Sequence, residues 1–376
     1  MALDEFRWLG RAQVLSSSRK LHTRRTALAP GFVLPCRDLG QLLEPLGCKL
    51  FPRERTLSQF VVWSARAGLF ELLADNGATT IAEAAVHTPL TEAGADSLLG
   101  VLCALGLVSR TTEARYSLSD IARDYLVCSS PFYVADQLDS EGPPIPGSYV
   151  RQRRTFMTRM RLKVLTVQPI YRYGTQARLD NQHARNLAAS AAAVRTGVFA
   201  EVSCLVDIGG GSGVFAIPLA LEYPTKRIII AELPDALANI RPVLATHGVE
   251  DRVELHALNA LQFPWKLPDC DAIFMGNFLH GFDDDTCRRL CKESFERLPP
   301  GGVLGVHEII WNERRDGPLM AALWHAAMRS VGPGRQRTGR ELTELLESAG
   351  FVRPCITPTS GPFALISGVK EGSPSR

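Results

Sequence analysis

Residues 207–213 read DIGGGSG, and the apolar run that follows them closes on an acid, Glu232. Bare backbone at Gly209, Gly210, Gly211 and Gly213 lets a ligand approach without a Cβ in the way. The sixth residue counted from Gly209 is Val214, so the G-x-G-x-x-G dinucleotide fingerprint is not met, and no G-K-S/T follows to make a P-loop. A pyrophosphate is therefore not the expected ligand. A carboxylate about twenty residues downstream, at the end of the second strand, can accept hydrogen bonds from both hydroxyls of a ribose. A nucleoside without phosphates suits this set of residues. S-adenosylmethionine fits, with its amino-acid end held by the glycine turn.

For that turn and that acid to share one edge of a sheet, strands and helices must alternate. Apolar runs at residues 204–208, 227–232, 252–257, 270–275 and 302–308 are separated by helical patterns near 213–223, 235–247 and 284–298. A further helical stretch, ARNLAASAAAVRTGVFAEV, leads into the first run. The alternation predicts an α/β fold, a doubly wound Rossmann-like parallel sheet with helices on both faces. Ligands of such sheets bind where strands end and helices begin.

Upstream, the pattern is different. SQFVVWSARAGLFELLAD, TIAEAA and EAGADSLLGVLCALGLVSR read as three helices, the third ending at Gly106, and LVSRTTEARYSLSD alternates as a two-stranded wing would. The set predicts a mainly α winged-helix unit. Its third helix is nearly all Leu, Val and Ala, where a reader of the major groove would carry Arg, Lys, Asn or Gln, so that helix is expected to be buried and no nucleic-acid partner is expected. Residues 129–150 are rich in Pro, Gly and Ser and mark a loop; VRQRRTFMTRMRLKVL then resumes a helix whose apolar face carries Phe156 and Met160.

The 376 residues exceed the usual size of a single core. Three segments are expected: a basic extension over 1–50, the winged-helix unit over 51–183, and the ligand-binding sheet over 184–376. The extension carries many Arg and Ser, as a mitochondrial transit peptide does, but Asp4 and Glu5 and the lack of an amphipathic stripe favour a plain basic extension. A net charge of +3 is too small at this length to argue for a nucleic-acid or membrane partner, and no apolar run offers a membrane span. Nine cysteines without a C-x-x-C pair fit reduced thiols in the cytoplasm.

The stretch DAIFMGNFLHGFDDDTCRRLCKESFERLPPGGVLGVHE resembles the class I S-adenosylmethionine-dependent O-methyltransferases of the caffeate, hydroxyindole and bacterial polyketide type. The glycine loop and GRQRTGRELTELLESAGF extend the resemblance over roughly residues 55–370. It implies that the N-terminal unit is a dimerisation domain covering the active site, and that the chain works as a homodimer. It assigns cofactor contacts to Gly209 and Gly211, Glu232 and Leu233, Asn259 and Ala260, and Met275 and Gly276. Members of the family commonly have Asp where Asn259 stands, though an amide oxygen can still accept the bond from an adenine amino group. Plant members have Lys at Gly276.

The resemblance makes His280 the general base and Glu308 the acid that orients it. Imidazole titrates in the range useful for removing a hydroxyl proton. Gln336 in GRQRT stands where the family often has a second acid. On the acceptor side the candidates are His325, Met328, Gln336, Phe156 and Met160. The implied activity is methyl transfer to a hydroxyl of a small aromatic acceptor, without a metal. His325 raises an alternative, an iron-dependent C-methyltransferase of an aromatic 2-oxo acid with His280 and His325 on the metal. A homologue that binds the sulfonium without transferring its methyl is a further alternative.

Overall fold

The computed structural model describes residues 55–131, 133, 148–150 and 176–372. The expected extension over 1–50 and the acceptor-side candidates Phe156 and Met160 lie outside them. The N-terminal unit is built from α1 (Arg55–Arg66), α2 (Leu69–Asn76), α3 (Ile81–His87) and α4 (Glu92–Ala104), then a hairpin of β1 (Val108–Arg110) and β2 (Tyr116–Leu118), then α5 (Asp120–Leu126). Threonines start two of these helices: Thr80 forms a capping box with Glu83, and the Thr91 hydroxyl accepts from the Gly94 amide.

The rest of the described chain is α6 (Gln176–Arg195), β3 (Cys204–Ile208), α7 (Ala216–Glu222), β4 (Arg227–Glu232), α8 (Pro234–Thr246), β5 (Val253–Ala257), β6 (Ala272–Gly276), α9 (Asp284–Arg297), β7 (Val303–Ile309), α10 (Leu319–Val331), α11 (Gly339–Ala349), β8 (Val352–Pro358) and β9 (Phe363–Val369). Among the described residues the large sheet runs β5-β4-β3-β6-β7-β9-β8. Strands β3 to β7 are parallel to their neighbours, but β9 is antiparallel to both β7 and β8. The doubly wound sheet is thus as expected, while its all-parallel character is not. The last two strands form a hairpin-like edge joined by a short bend, and β8 is half exposed, so its apolar signal is weak.

Side chains alternate across β3, and each face has its own core. Val206 and Ile208 pack with Cys287, Leu290 and Cys291 of α9 and Leu342 and Leu346 of α11. On the other face Leu205 packs with residues of α6, α7 and α8, among them Val194, Leu219 and Leu244. The sheet order reverses between β3 and β6, which opens a crevice at their C-terminal ends.

Helix α4 is the buried helix its composition predicts: Leu98, Leu99, Val101 and Leu102 are fully buried. Its cover includes Trp311, Ala322 and Ala326 from the segment after β7 and from α10, so the N-terminal unit and α10 share one core. Seven cysteines among the described residues are all free thiols. No helix among the described residues is long and apolar enough to cross a membrane.

Candidate active site

Parallel register sets which residues meet at the crevice. Ile208 pairs with Ala231, Glu232 with Ala257, and Gly276 with His307, so the glycine turn, Glu232, the end of β6 and Glu308 share the C-terminal edge. Gly209 leaves β3 at φ +67°, Gly211 follows at +55° and Gly213 at +75°, backbone that an L side chain adopts only with strain. A Cβ on Gly211 would have nothing closer than the Gly209 carbonyl oxygen at 3.9 Å, so the turn presents open backbone there. On Gly209 it would lie 2.4 Å from the Phe278 ring, which therefore seats directly on the turn. Phe278 is a neighbour of the turn that the spacing of the sequence does not reveal.

Two buried carboxylates lie beneath this turn. Glu232 is 3% exposed, and its Oε2 accepts from the Leu233 amide at 2.6 Å, where Leu233 caps α8 ahead of Pro234. Asp207 Oδ2 is buried without a partner. Burial pushes the Asp207 carboxyl up to about 8, and the charge of Glu232 adds to the shift. An open glycine cradle, an unpartnered buried carboxylate oxygen and a strand-end glutamate are donors and acceptors of the kind that a cationic amino-acid nucleoside needs, so these residues fit S-adenosylmethionine.

The remaining cofactor candidates are less open. Asn259 Oδ1 already accepts from the Leu261 amide at 3.0 Å. The Ala260 carbonyl accepts from Trp265 Nε1 at 2.9 Å. The Met275 side chain is buried in the core, so any ligand contact from that residue is through backbone. At Gly276 a Cβ would stand 2.7 Å from the Phe274 ring, which stacks on Phe215; the glycine makes room for that ring.

After β6, Asn277 turns at φ +50° and a short 3₁₀ turn, Leu279–Gly281, carries His280. Asp283 then caps α9 by accepting from the Thr286 amide. His280 is 7% exposed and Glu308 2%. Their pairing is close: His280 Nδ1 stands 2.7 Å from Glu308 Oε2, while Glu308 Oε1 accepts from the Phe278 amide at 2.9 Å and the His280 amide at 3.2 Å. A carboxylate on Nδ1 assigns the proton to that nitrogen and leaves the Nε2 lone pair available. The edge of Trp324 meets the imidazole at 5.8 Å between centroids.

His325 is also buried and also paired with an acid, but a different one. Its Nε2 is 2.9 Å from Oδ2 of Asp96 on α4, with Trp311 against the ring. Arg329 approaches the same carboxylate at 3.7 Å. Burial works against ionisation of Asp96, yet His325, Arg329 and Arg315 outweigh it and hold the carboxyl below its usual range. Each of the two histidines thus has its own carboxylate, and the His325 partner comes from the N-terminal unit. Among the described residues no group of three or more His, Cys, Asp and Glu is arranged to hold a metal ion.

Gln336 is 1% exposed; oriented by its partners, its amide nitrogen donates to the Ile309 carbonyl at 2.9 Å and its oxygen accepts from Trp324 Nε1 at 3.1 Å. Both ends are engaged by protein. Met328 is half-buried on α10. The neighbours of Gln336 in GRQRT are charged residues that sequence reasoning passed over. Arg337, 2% exposed, donates to Asp284 Oδ1 at 2.7 Å and to the carbonyls of Leu279 and Phe282, each at 3.0 Å. Arg335 donates to Asp284 Oδ2 at 3.1 Å and to Glu341 at 3.0 Å. Burial raises the Asp284 carboxyl, but the two guanidinium groups prevail and bring it down to about 2.

A family model described as an O-methyltransferase domain matches residues 175–352, and one described as an O-methyltransferase dimerisation domain matches residues 55–128. The 3-hydroxy-5-methyl-1-naphthoate 3-O-methyltransferase of Streptomyces sahachiroi is 26% identical over 326 residues, spanning 83% of this chain and 92% of that enzyme. Acetylserotonin O-methyltransferase of Gallus gallus is 30% identical over 166 residues, 44% of this chain and 47% of that enzyme. A solved O-methyltransferase family 2 protein from Planctomyces limnophilus, in complex with apigenin, superposes with a TM-score of 0.68 at 25% identity, covering 92% of this chain and 98% of that one. With both domains matched in order, a Rossmann-like sheet and a glycine turn suited to the cofactor, the chain belongs to the S-adenosylmethionine-dependent O-methyltransferase family.

Proposed function

We propose that this methyltransferase acts on a hydroxyl of a small aromatic acceptor, with His280 as general base and Glu308 as the acid that orients it. The observation that carries the reading is the His280–Glu308 pair on the turn next to the glycine cradle, with Nδ1 committed to the carboxylate at 2.7 Å. When bound, S-adenosylmethionine supplies a methyl group activated by a sulfonium. Backbone at Gly209 and Gly211 would hold its amino-acid end, Glu232 and Leu233 the ribose, and Asn259 with Ala260 the adenine, with Met275 and Gly276 as further contacts at the end of β6.

His280 Nε2 takes the proton from the acceptor hydroxyl, and the electron pair left on the oxygen is the nucleophile. Glu308 stabilises the imidazolium that forms and keeps the ring from rotating. The proton leaves to solvent after product departs. Acceptor chemistry is inferred from relatives: the naphthoate named for the Streptomyces enzyme and the apigenin bound by the planctomycete protein are both hydroxylated ring systems. His325 and Met328 on α10 belong to the acceptor side in this reading, and two copies pair through the N-terminal unit, the part matched by the dimerisation model.

The test is a panel of hydroxylated aromatics incubated with the cofactor and either the parent protein or His280→Ala, with products fragmented to locate the methyl group. Turnover should fall by about 10²-fold or more in the variant, while calorimetry finds cofactor affinity within a few-fold of the parent. A variant that keeps most of its turnover removes the base.

A further inference from the structure

We infer that the segment Gly334–Arg337 is a positioning element for His280, acting through the backbone of the turn that carries it; this rests on the reading of His280 as the base. Glu308 takes the donors of that turn, the amides of Phe278 and His280. The Leu279 carbonyl accepts from the Phe282 amide at 3.2 Å and the Cys287 thiol at 3.3 Å, and a charged donor is added from the other side. Arg337 Nη1 donates to the Leu279 carbonyl and Nη2 to the Phe282 carbonyl, each at 3.0 Å, so one buried guanidinium bridges the residues flanking His280 and Gly281.

The guanidinium cannot drift, because Asp284 in the first turn of α9 fixes it through Nε at 3.1 Å and Nη2 at 2.7 Å. Arg335 grips the other oxygen of the same carboxylate and ties it to Glu341, which closes the capping box on Thr338 at the start of α11. A planar fork with several fixed donors suits this geometry, and a lysine ammonium cannot reproduce it. Arg337 itself does not face the crevice: its five hydrogen bonds go to Asp284 Oδ1 and to the carbonyls of Leu279, Arg335 and Phe282, and it is 2% exposed.

Gly334 completes the clamp by close approach. A Cβ there would lie 2.3 Å from the His280 carbonyl oxygen and 2.8 Å from the Gly281 carbonyl carbon, both backbone atoms that can move only by moving the turn. The loop 334–337 therefore rests directly on the peptide that sets the direction of the imidazole. Displacements of about 1 Å in a reacting group can cost about 100-fold in rate, so a clamp of this kind has a measurable consequence.

The experiment uses the full chain and three variants, Gly334→Ala, Arg337→Lys and Asp284→Asn, beside His280→Ala. For each folded variant, kcat and KM for an accepted hydroxylated aromatic, cofactor affinity by calorimetry, and the low-field proton resonance of the His280 Nδ1–Glu308 bond are recorded, that resonance being assigned by its loss in His280→Ala. The expected result is kcat lower by about 10- to 100-fold, cofactor affinity within a few-fold of the parent, and a displaced or broadened Nδ1 proton signal. A thermal melt identifies any variant that does not fold; Asp284→Asn, altered at a half-exposed side chain, is the mildest of the three and decides the matter if the buried pair fails. Parent-like kcat with an unmoved proton signal in a folded variant overturns the clamp. If His280→Ala is inert in the same assay, the base reading survives that failure; if His280→Ala turns over normally, the base reading falls instead.

Discussion

Glu308 holds His280 by two routes at once: Oε2 meets the ring at Nδ1, 2.7 Å away, and Oε1 accepts the residue's own backbone amide at 3.2 Å. Ring and main chain are thus referred to the same carboxylate, and that carboxylate sits on β7, the strand next to the one that delivers His280. Rotation of χ1 or χ2 would break one bond without relieving the other.

Glu308→Gln tests this double hold. If the amide oxygen keeps the two backbone amides, the NH₂ group faces Nδ1, which must then accept, and the proton moves to Nε2. The wrong nitrogen is then protonated for a base. Loss of about 10³- to 10⁴-fold in kcat is expected, with cofactor affinity near that of the parent by calorimetry. A loss under tenfold would mean that the carboxylate does not set the tautomer.

The sheet that carries this pair was legible because five apolar runs and three helical patterns alternate over residues 204–308, and the structure places strands at Cys204–Ile208, Arg227–Glu232, Val253–Ala257, Ala272–Gly276 and Val303–Ile309. The antiparallel edge was not, since Arg353, Cys355 and Thr357 interrupt any apolar run in β8. In the site, the glycines and Glu232 stood out by spacing. Glu308, 28 residues from His280, came from the family resemblance and not from spacing, while Asp96, 229 residues from His325, and Arg337, 58 and 55 residues from the carbonyls it holds, went unseen because no local side-chain pattern encodes such contacts. His325 was expected from its type and place on the acceptor side, or as a metal ligand in the alternative; its bond to Asp96, a tertiary contact between the two units, was not foreseen.

Asp96→Ala is expected to weaken that seam. The change leaves Nε2 of a 1% exposed histidine without its acceptor and removes the charge that Arg329 approaches. Unfolding free energy should fall by about 1–3 kcal/mol, read as an earlier urea midpoint. Cofactor affinity should stay near the parent's, because the pair belongs to α4 and α10 and not to the glycine turn. An unchanged midpoint would show that the pair contributes nothing to joining the units.

Asp207 offers the opposite kind of test, one that turns on pH. Its folded value of about 8 lies above the ordinary 3.8 of an unfolded aspartate. Between those values the folded chain holds a proton that the unfolded chain has released. The stability tied to this group is therefore fully present below about pH 4, declines as pH rises, and is gone above about pH 8. Asp207→Asn keeps the shape and cannot ionise, so it should escape the decline. Melting temperatures of the two proteins, compared at pH 5 and pH 8 without cofactor, should shift in favour of the variant at the higher pH. A gap that stays constant across that range would mean that Asp207 is already ionised in the folded chain, despite its burial beside Glu232, and that some group satisfies the charge at Oδ2.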